Sequence, residues 1–397
     1  MRKRTGGGFL VAMLAVTALG TTAWAGTITD LDQARREAEA QGKPVLMKVG
    51  AEWCSACNAF DKATYENDVV KSAIGSNVVL CKIDAEKGKG IEVARQYSVR
   101  NFPTFILMNA EGETMDRWLG YQEDKGFSES LAKSLEDPKT VSDRLAQFQK
   151  SPSEDDALKL GEIRHHEGMF AEAAAYYRRA SELNPQSETP YESYIFNAMA
   201  YGNYFQQFSP DQVKAQANAV FASSRSSDKD IMKATYSMHK IAARAHDMDI
   251  YIPYLKKAIA RTANTTDEKI GHMRAGLLPD YAILVDKNVE QAIAYKLEAQ
   301  PEGWTENANL LNNYAWWCFE HRINLEQAAE YARKGIELAE AGNMKANILD
   351  TLAEICNASG DCEDAVDYIR LAVKEDPENE YFQKQLTRFE EILAAQR

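Results

Sequence analysis

Two apolar periods alternate along the first third of the chain. The stretch "LDQARREAEAQ" follows Asp30, a plausible N-cap, and places Leu31, Ala34 and Ala38 on one helical face. A Gly/Pro break follows, and then "VLMKVG", an apolar run with the length of a buried strand. The same alternation continues. A helix is predicted from near Cys54 through Phe60 and another after Asn67 and Asp68. A β-branched run, "NVVLCKIDAE", gives a second strand, and "IEVARQY" is helical. The run "FPTFILMN" is a strand opened by proline, and "ETMDRWLGY" is its hairpin partner across Glu111 and Gly112. The segment closes with "GFSESLAKSLED" as a helix. Strand alternating with helix predicts an α/β domain over residues 26–137.

Beyond Asp137 strand-like runs stop. Residues 138–153 form a helical, polar connector, and everything after them has helical periodicity. Leu160-Gly161, Gly168, Ala173, Tyr177, Ala180 and Pro185 recur as Leu352-Ala353, Gly360, Ala365, Ile369, Ala372 and Pro377. This spacing resembles the 34-residue tetratricopeptide repeat. A third segment fits with one extra residue in its turn, with Ala315, Ala328, Ala332 and Gly335 at the small-residue positions. Residues 187–298 are helical but poor in repeat signal; "SYIFNAMAYGNYF" has the pattern of a first helix, and "YIPYLKKAIARTA" and "NVEQAIAYKLEAQP" of second helices. The expectation is an all-α repeat solenoid over residues 154–397, capped by the amphipathic "EYFQKQLTRFEEILAAQR".

The N-terminus sets the compartment. Arg2, Lys3 and Arg4 precede the apolar "FLVAMLAVTALG" and then "AWA" at residues 23–25, the three parts of a cleavable secretory signal. The apolar core is shorter than the roughly 20 residues a membrane span needs. A mature chain starting at Gly26 is therefore expected to be periplasmic or secreted, where disulfides persist. Losing three basic residues takes the net charge from −13 to −16. So acidic a chain without basic runs is unsuited to nucleic acid or anionic membranes. Six cysteines are too few to hold a chain this long, so its core must be hydrophobic.

Two of those cysteines stand close together in "AEWCSAC", at a strand-to-helix junction. By spacing alone Cys54 and Cys57 could be a redox couple, half of a zinc site or a structural staple. A zinc site needs a second pair of ligands, and none occurs at motif spacing before His165, so no metal is expected. Cys54 falls in the first turn of its helix, where free backbone N–H groups and the dipole favour an anion. Thiolate is the nucleophile in disulfide exchange. Cys57, three residues on, lies on the same face within bridging range, so Cys54 would attack and Cys57 would resolve.

Three motifs, "AEWCSAC", "KIDAEK" and "VRNFPTFILMNAEG", occur in the order and spacing of the thioredoxin superfamily. The chain resembles above all the thioredoxin-like domains of periplasmic thiol-disulfide interchange proteins. The resemblance implies a central sheet flanked by helices and a cis peptide bond between Phe102 and Pro103 beside the cysteines. It implies too that Trp53, Phe102 and Pro103 contact a client polypeptide. At one position the sequence departs from the pattern: where thioredoxins carry a buried carboxylate six residues before the first cysteine, this chain has Lys48. A charged amine there would favour thiolate and make the couple a better oxidant; an amine that reaches out to solvent would do nothing.

Cys81 is expected to be a buried small hydrophobe, and Cys318 and Cys356 to pack in adjoining repeats, while Cys362 stands six residues past Cys356, near enough for a bridge. The histidines show no metal-ligand spacing. The sequence thus predicts an exported protein thiol-disulfide oxidoreductase without a cofactor. Its partners would be protein clients with thiols or disulfides, an upstream thiol-disulfide donor or acceptor, and a protein or peptide held on the concave face of the repeats. The alternative is a non-catalytic binding scaffold in which Cys54–Cys57 is a structural disulfide.

Overall fold

The computed structural model describes residues 27–121 and 123–396; the predicted signal lies outside them. Helix α1 (Leu31–Gln41) starts where Asp30 accepts the Gln33 amide, as its sequence requires. Then come β1 (Val45–Gly50), α2 (Ser55–Glu66), α3 (Asp68–Asn77), β2 (Val79–Asp84), α4 (Gly90–Gln96), β3 (Thr104–Met108), β4 (Thr114–Leu119) and α5 (Asp124–Glu136). The four strands form one mixed sheet in the order β2-β1-β3-β4, with β1 parallel to β2 and antiparallel to β3. Every β1 residue is buried, because helices cover both faces. Strand alternation divides the core between them. Val45, Met47 and Val49 pack with Ala34, Ala38 and Ile106 on one face; Leu46 packs with Phe60, Phe105, Phe127 and Leu131 on the other. By the same alternation Lys48 and Gly50 lie on the Leu46 side, under α2.

Helices α6 (Val141–Lys150), α7 (Glu154–His166), α8 (Phe170–Leu183) and α9 (Tyr191–Tyr204) complete a compact unit that ends at Ser209. The connector helix α6 is pinned at a buried arginine: Arg144, 2% exposed, donates to Asp137 at 2.8 Å and to Asp156 at 2.7 Å, joining the ends of α5 and α7. The first repeat covers the β4 edge of the sheet. Lys159 of α7 donates to the buried Asp116 at 2.6 Å, and His166 Nδ1 donates to the Arg117 carbonyl at 3.0 Å. The second contact occupies a backbone carbonyl that an open edge would offer to another chain. Burial lowers the basicity of both neighbouring imidazoles, that of His165, packed against Phe170 and Tyr201, to about 4.

The second compact unit begins at Pro210 and is helical throughout: α10 (Pro210–Ala222), α11 (Asp228–Ala245), α12 (Ile252–Arg261), α13 (Glu268–Tyr281), α14 (Val289–Glu298), α15 (Ala308–His321), α16 (Leu325–Leu338), α17 (Asn343–Ser359), α18 (Cys362–Glu375) and α19 (Glu380–Gln396). Helices α15 to α18 pack as antiparallel repeat pairs around Ala315, Ala332, Leu352, Ala353 and Ile369, and α19 closes the stack with Phe382 and Phe389. In the middle, α13 contains Pro279 and runs into a π-helical turn over Ala282–Asp286. A proline in that place removes one rung of the helix ladder. The turn between α15 and α16 carries its extra residue by placing Arg322 and Asn324 in the left-handed region, where the last repeat uses Gly360. Cys81, Cys318 and Cys356 are buried free thiols, with Cys81 pushed up to about 12 by desolvation. Contrary to the bridge considered from the sequence, Cys362 is also free, and its sulfur points to Asn357 Oδ1 at 3.6 Å. No described helix is long and apolar enough to cross a membrane.

The glycine in the first repeat is a packing requirement. A Cβ at position 161 would stand 2.6 Å from the Tyr177 ring. Gly161→Val should therefore force α7 and α8 apart and cost about 1–3 kcal/mol, as overpacked cores do; urea unfolding followed by circular dichroism would show a lowered first midpoint, and an unchanged midpoint would contradict this packing.

Candidate functional site

Cys54 is the N-cap of α2, and its sulfur accepts the Cys57 backbone N–H at 3.1 Å. The amide that an N-cap side chain ordinarily satisfies with oxygen is here turned onto sulfur. Cys54 and Cys57 are joined in a disulfide with Cα atoms 5.2 Å apart; Cys57 is fully buried and Cys54 is 5% exposed. The turn that feeds the helix is held by the Asn58 side chain, which donates to the Glu52 carbonyl at 2.9 Å. Gly50 at the end of β1 makes room for the sulfurs: a Cβ there would lie 2.7 Å from Cys57 Sγ and 3.2 Å from Lys48 Nζ.

The side chains named from the sequence gather around this pair. Trp53 is 70% exposed yet fixed, since its indole N–H donates to the Glu86 carboxylate at 3.0 Å and its ring meets Phe102 edge-on with centroids 5.8 Å apart. The Phe102–Pro103 peptide bond is cis. Phe102 is half-buried and Pro103 buried. An exposed aromatic surface thus lies beside the disulfide, held by a hydrogen bond and a neighbouring ring rather than by core packing.

Lys48 does not reach out to solvent. It is 5% exposed, and its amine donates to Asp61 Oδ2 at 2.9 Å. Across the β1–β2 register it is paired with Lys82, whose amine lies 3.1 Å from the other Asp61 oxygen. That second approach is an ion pair without hydrogen-bond geometry, and Lys82 donates instead to Thr64 Oγ1 at 3.0 Å. Two amines and one carboxylate therefore meet under α2, a net positive cluster whose Lys48 lies beside the Gly50 position that also faces Cys57 Sγ. They line a recess of about 400 Å³ that links them to the surface past Asn58 and Asp84. Asp61 and Lys82 were not singled out from the sequence. A signal for Asp61 exists: it follows Cys57 by four residues and so shares its helix face. Lys82 is legible only from strand register.

Residues 24–117 match the family model of thioredoxin-like domains, and residues 158–187 match that of the tetratricopeptide repeat. Among curated proteins the chain is 32% identical over 108 residues to the thiol:disulfide interchange protein DsbD of Salmonella typhimurium, covering 26% of this chain and 19% of that protein. It is 30% identical over 108 residues to the protein of the same name from Escherichia coli, with the same coverage. The chain thus spans about a fifth of the length of the curated relatives it matches. Among solved structures it is similar to a disulphide isomerase from Xylella fastidiosa, with 24% identity over 25% of this chain and 85% of that one and a TM-score of 0.24. A tetratricopeptide repeat protein from Parabacteroides merdae is 13% identical over 67% of this chain and 96% of that one, with a TM-score of 0.40.

Gly50→Ala tests the packing around the sulfurs. The added methyl overlaps Cys57 Sγ, so the oxidised protein should lose about 1–3 kcal/mol of stability, read as a lower unfolding midpoint and as faster reduction by dithiothreitol. Wild-type reduction kinetics would show that the sulfur is not held against this glycine.

Proposed function

We propose that this chain, which carries a thioredoxin-like domain followed by tetratricopeptide repeats, is an exported thiol-disulfide oxidoreductase. Cys54 attacks a sulfur of a protein client, Cys57 resolves the mixed disulfide, and the repeats recruit the client or a partner protein. The observation that carries this reading is the Cys54–Cys57 disulfide at the head of α2, with the Cys57 amide on the Cys54 sulfur. In the reduced state that amide and the first turn of the helix lower the cost of the Cys54 thiolate. Exchange then runs in two steps. The thiolate adds to one sulfur of the client disulfide and expels the other as thiolate, giving a mixed disulfide. Cys57 gives up its proton and displaces the client, which leaves with both sulfurs reduced, and Cys54–Cys57 is re-formed. The opposite direction oxidises a client dithiol by the same steps reversed.

Trp53 and Phe102 supply an apolar contact for the client next to the reacting sulfur. Pro103, lacking an N–H, leaves the backbone before it to pair with an extended segment. Lys48, with Lys82, tunes the couple. Their charge favours the thiolate and therefore the reduced form, which makes the disulfide more oxidising; Asp61 opposes them in part. A periplasmic location fits the signal pattern of residues 1–25, and an upstream thiol-disulfide partner would reset the couple.

The reading makes two expectations. Redox titration should place Cys54–Cys57 well above the roughly −300 mV below which structural disulfides lie, and in the reduced protein Cys54 should be alkylated by iodoacetamide at mildly acidic pH, where ordinary thiols are inert. A potential below that bound, or ordinary Cys54 reactivity, would leave a binding scaffold with a structural disulfide. Next, Lys48→Gln should lower the potential by about 10–30 mV and Asp61→Asn should raise it, since about 30 mV in a two-electron couple corresponds to 1.4 kcal/mol. Shifts of the same sign in both variants would remove Lys48 and Asp61 from any tuning role.

A further inference from the structure

Far from the disulfide in sequence, the last repeats enclose a polar recess of about 460 Å³ between α15, α17 and α19. Its walls include Asn312, Asn313 and Trp316 from α15, Asn347 and Asp350 from α17, and Tyr381 from α19. Asp350 is 5% exposed. One carboxylate oxygen accepts the Tyr381 hydroxyl at 3.2 Å, while the other, Oδ1, is buried with no hydrogen-bond partner. The Asn312 carbonyl oxygen is likewise buried and unpartnered.

A buried carboxylate is costly unless it is paired or protonated. Arg388 of α19 is already engaged, because it donates to Glu354, the next acidic residue along α17. Gln385 also turns to Glu354, and its amide donates to the Tyr381 hydroxyl as well. No lysine, arginine or histidine is among the residues lining the recess. Burial and the charge of Glu354 push the Asp350 carboxyl up to about 6, which is what a carboxylate short of compensating charge should show. An anionic ligand would meet Asp350 head-on. A cationic one would supply the partner that both the acid and its free oxygen lack.

We propose that this recess binds the ammonium or guanidinium group of a lysine or arginine side chain in an extended polypeptide, with Asp350 as counter-ion. Asn312 accepts a peptide N–H of the same segment, and Asn347 and Asn313 line the path of its backbone with side-chain amides that can both donate and accept. Trp316 offers a flat face for the side-chain stem or its cation. A free amine would use Asp350 and leave the amides idle, so a basic residue within a chain matches more of what the recess presents. This rests on the reading that the repeats hold a polypeptide, and it names the chemistry of the segment held.

The test uses the full chain, immobilised, and three pools of acetylated, cysteine-free hexapeptides that differ only in a fixed Lys, Gln or Glu. Wild-type protein should retain the Lys pool at least tenfold better than the Gln or Glu pool. Asp350→Asn, which keeps the shape and removes the unpaired charge, should cut that preference below threefold, and Asn312→Ala should weaken retention of the Lys pool without abolishing its preference over Gln. Equal retention of the pools, no retention, or a preference that survives Asp350→Asn overturns the proposal; so does displacement by free butylamine at the concentration at which the peptides themselves bind. Insulin-disulfide reduction measured on the same preparations separates the two readings. A chain with a basic preference and no reductase activity retains this site and loses the oxidoreductase, and the reverse result loses only this site.

Discussion

A sulfur held at the first turn of a helix, with a backbone amide pointed at it, is the constraint around which the first domain is organised. Strand β1 delivers the chain to that point and ends in Gly50, which alone leaves space for Cys57 beneath the strand end. Helix α2 then supplies the amide and the second sulfur three residues on. Phe102 lies edge-on against Trp53, so the surface beside the disulfide is aromatic while the sulfurs themselves are nearly covered. The arrangement couples an anion site made from backbone to a contact surface made from side chains.

Charge under the sulfurs is distributed differently from the pattern that the thioredoxin resemblance implies. The strand position expected to hold a carboxylate holds Lys48, and a carboxylate is nonetheless present, contributed by Asp61 from the helix above and bound by Lys48. Moving the acid from strand to helix leaves two amines, those of Lys48 and Lys82, to be compensated by one carboxylate. A buried amine needs a counter-ion, so Lys48 and Asp61 have to be understood as a pair rather than as separate substitutions.

The first repeat is built onto the sheet by buried polar contacts. Arg144 bridges Asp137 and Asp156, Lys159 reaches Asp116, and His166 occupies a carbonyl of β4. Arg100, two residues before Phe102, lies over the Phe205 ring with its guanidinium 5.3 Å from the centroid and passes beside Gly168. These contacts join the loop that carries the cis bond to the first repeat. The loop that carries Phe102 is therefore backed by helices, and the polar pairs, being buried, are costly to separate.

The alternation of strand and helix, the Asp30 cap, the Cys-x-x-Cys pair and the recurring small residues of the outer repeats were all legible in sequence, because each depends on spacing within a single element or on a motif within a few residues. Trp53 was legible as the neighbour of Cys54, whereas the placement of Phe102 and Pro103 beside the cysteines was legible only through resemblance. Sequence left two fates open for Lys48, and the structure chose between them by supplying Asp61, because a lysine amine stays inside only where an acid meets it. Lys82 emerged from strand register, the unpaired Asp350 from the stacking of three helices, and the free state of Cys362 from the direction in which α18 turns its sulfur. Local spacing fixes periodicity and caps, whereas the pairing of charges depends on which elements fold against one another, and that was decided by the tertiary structure alone.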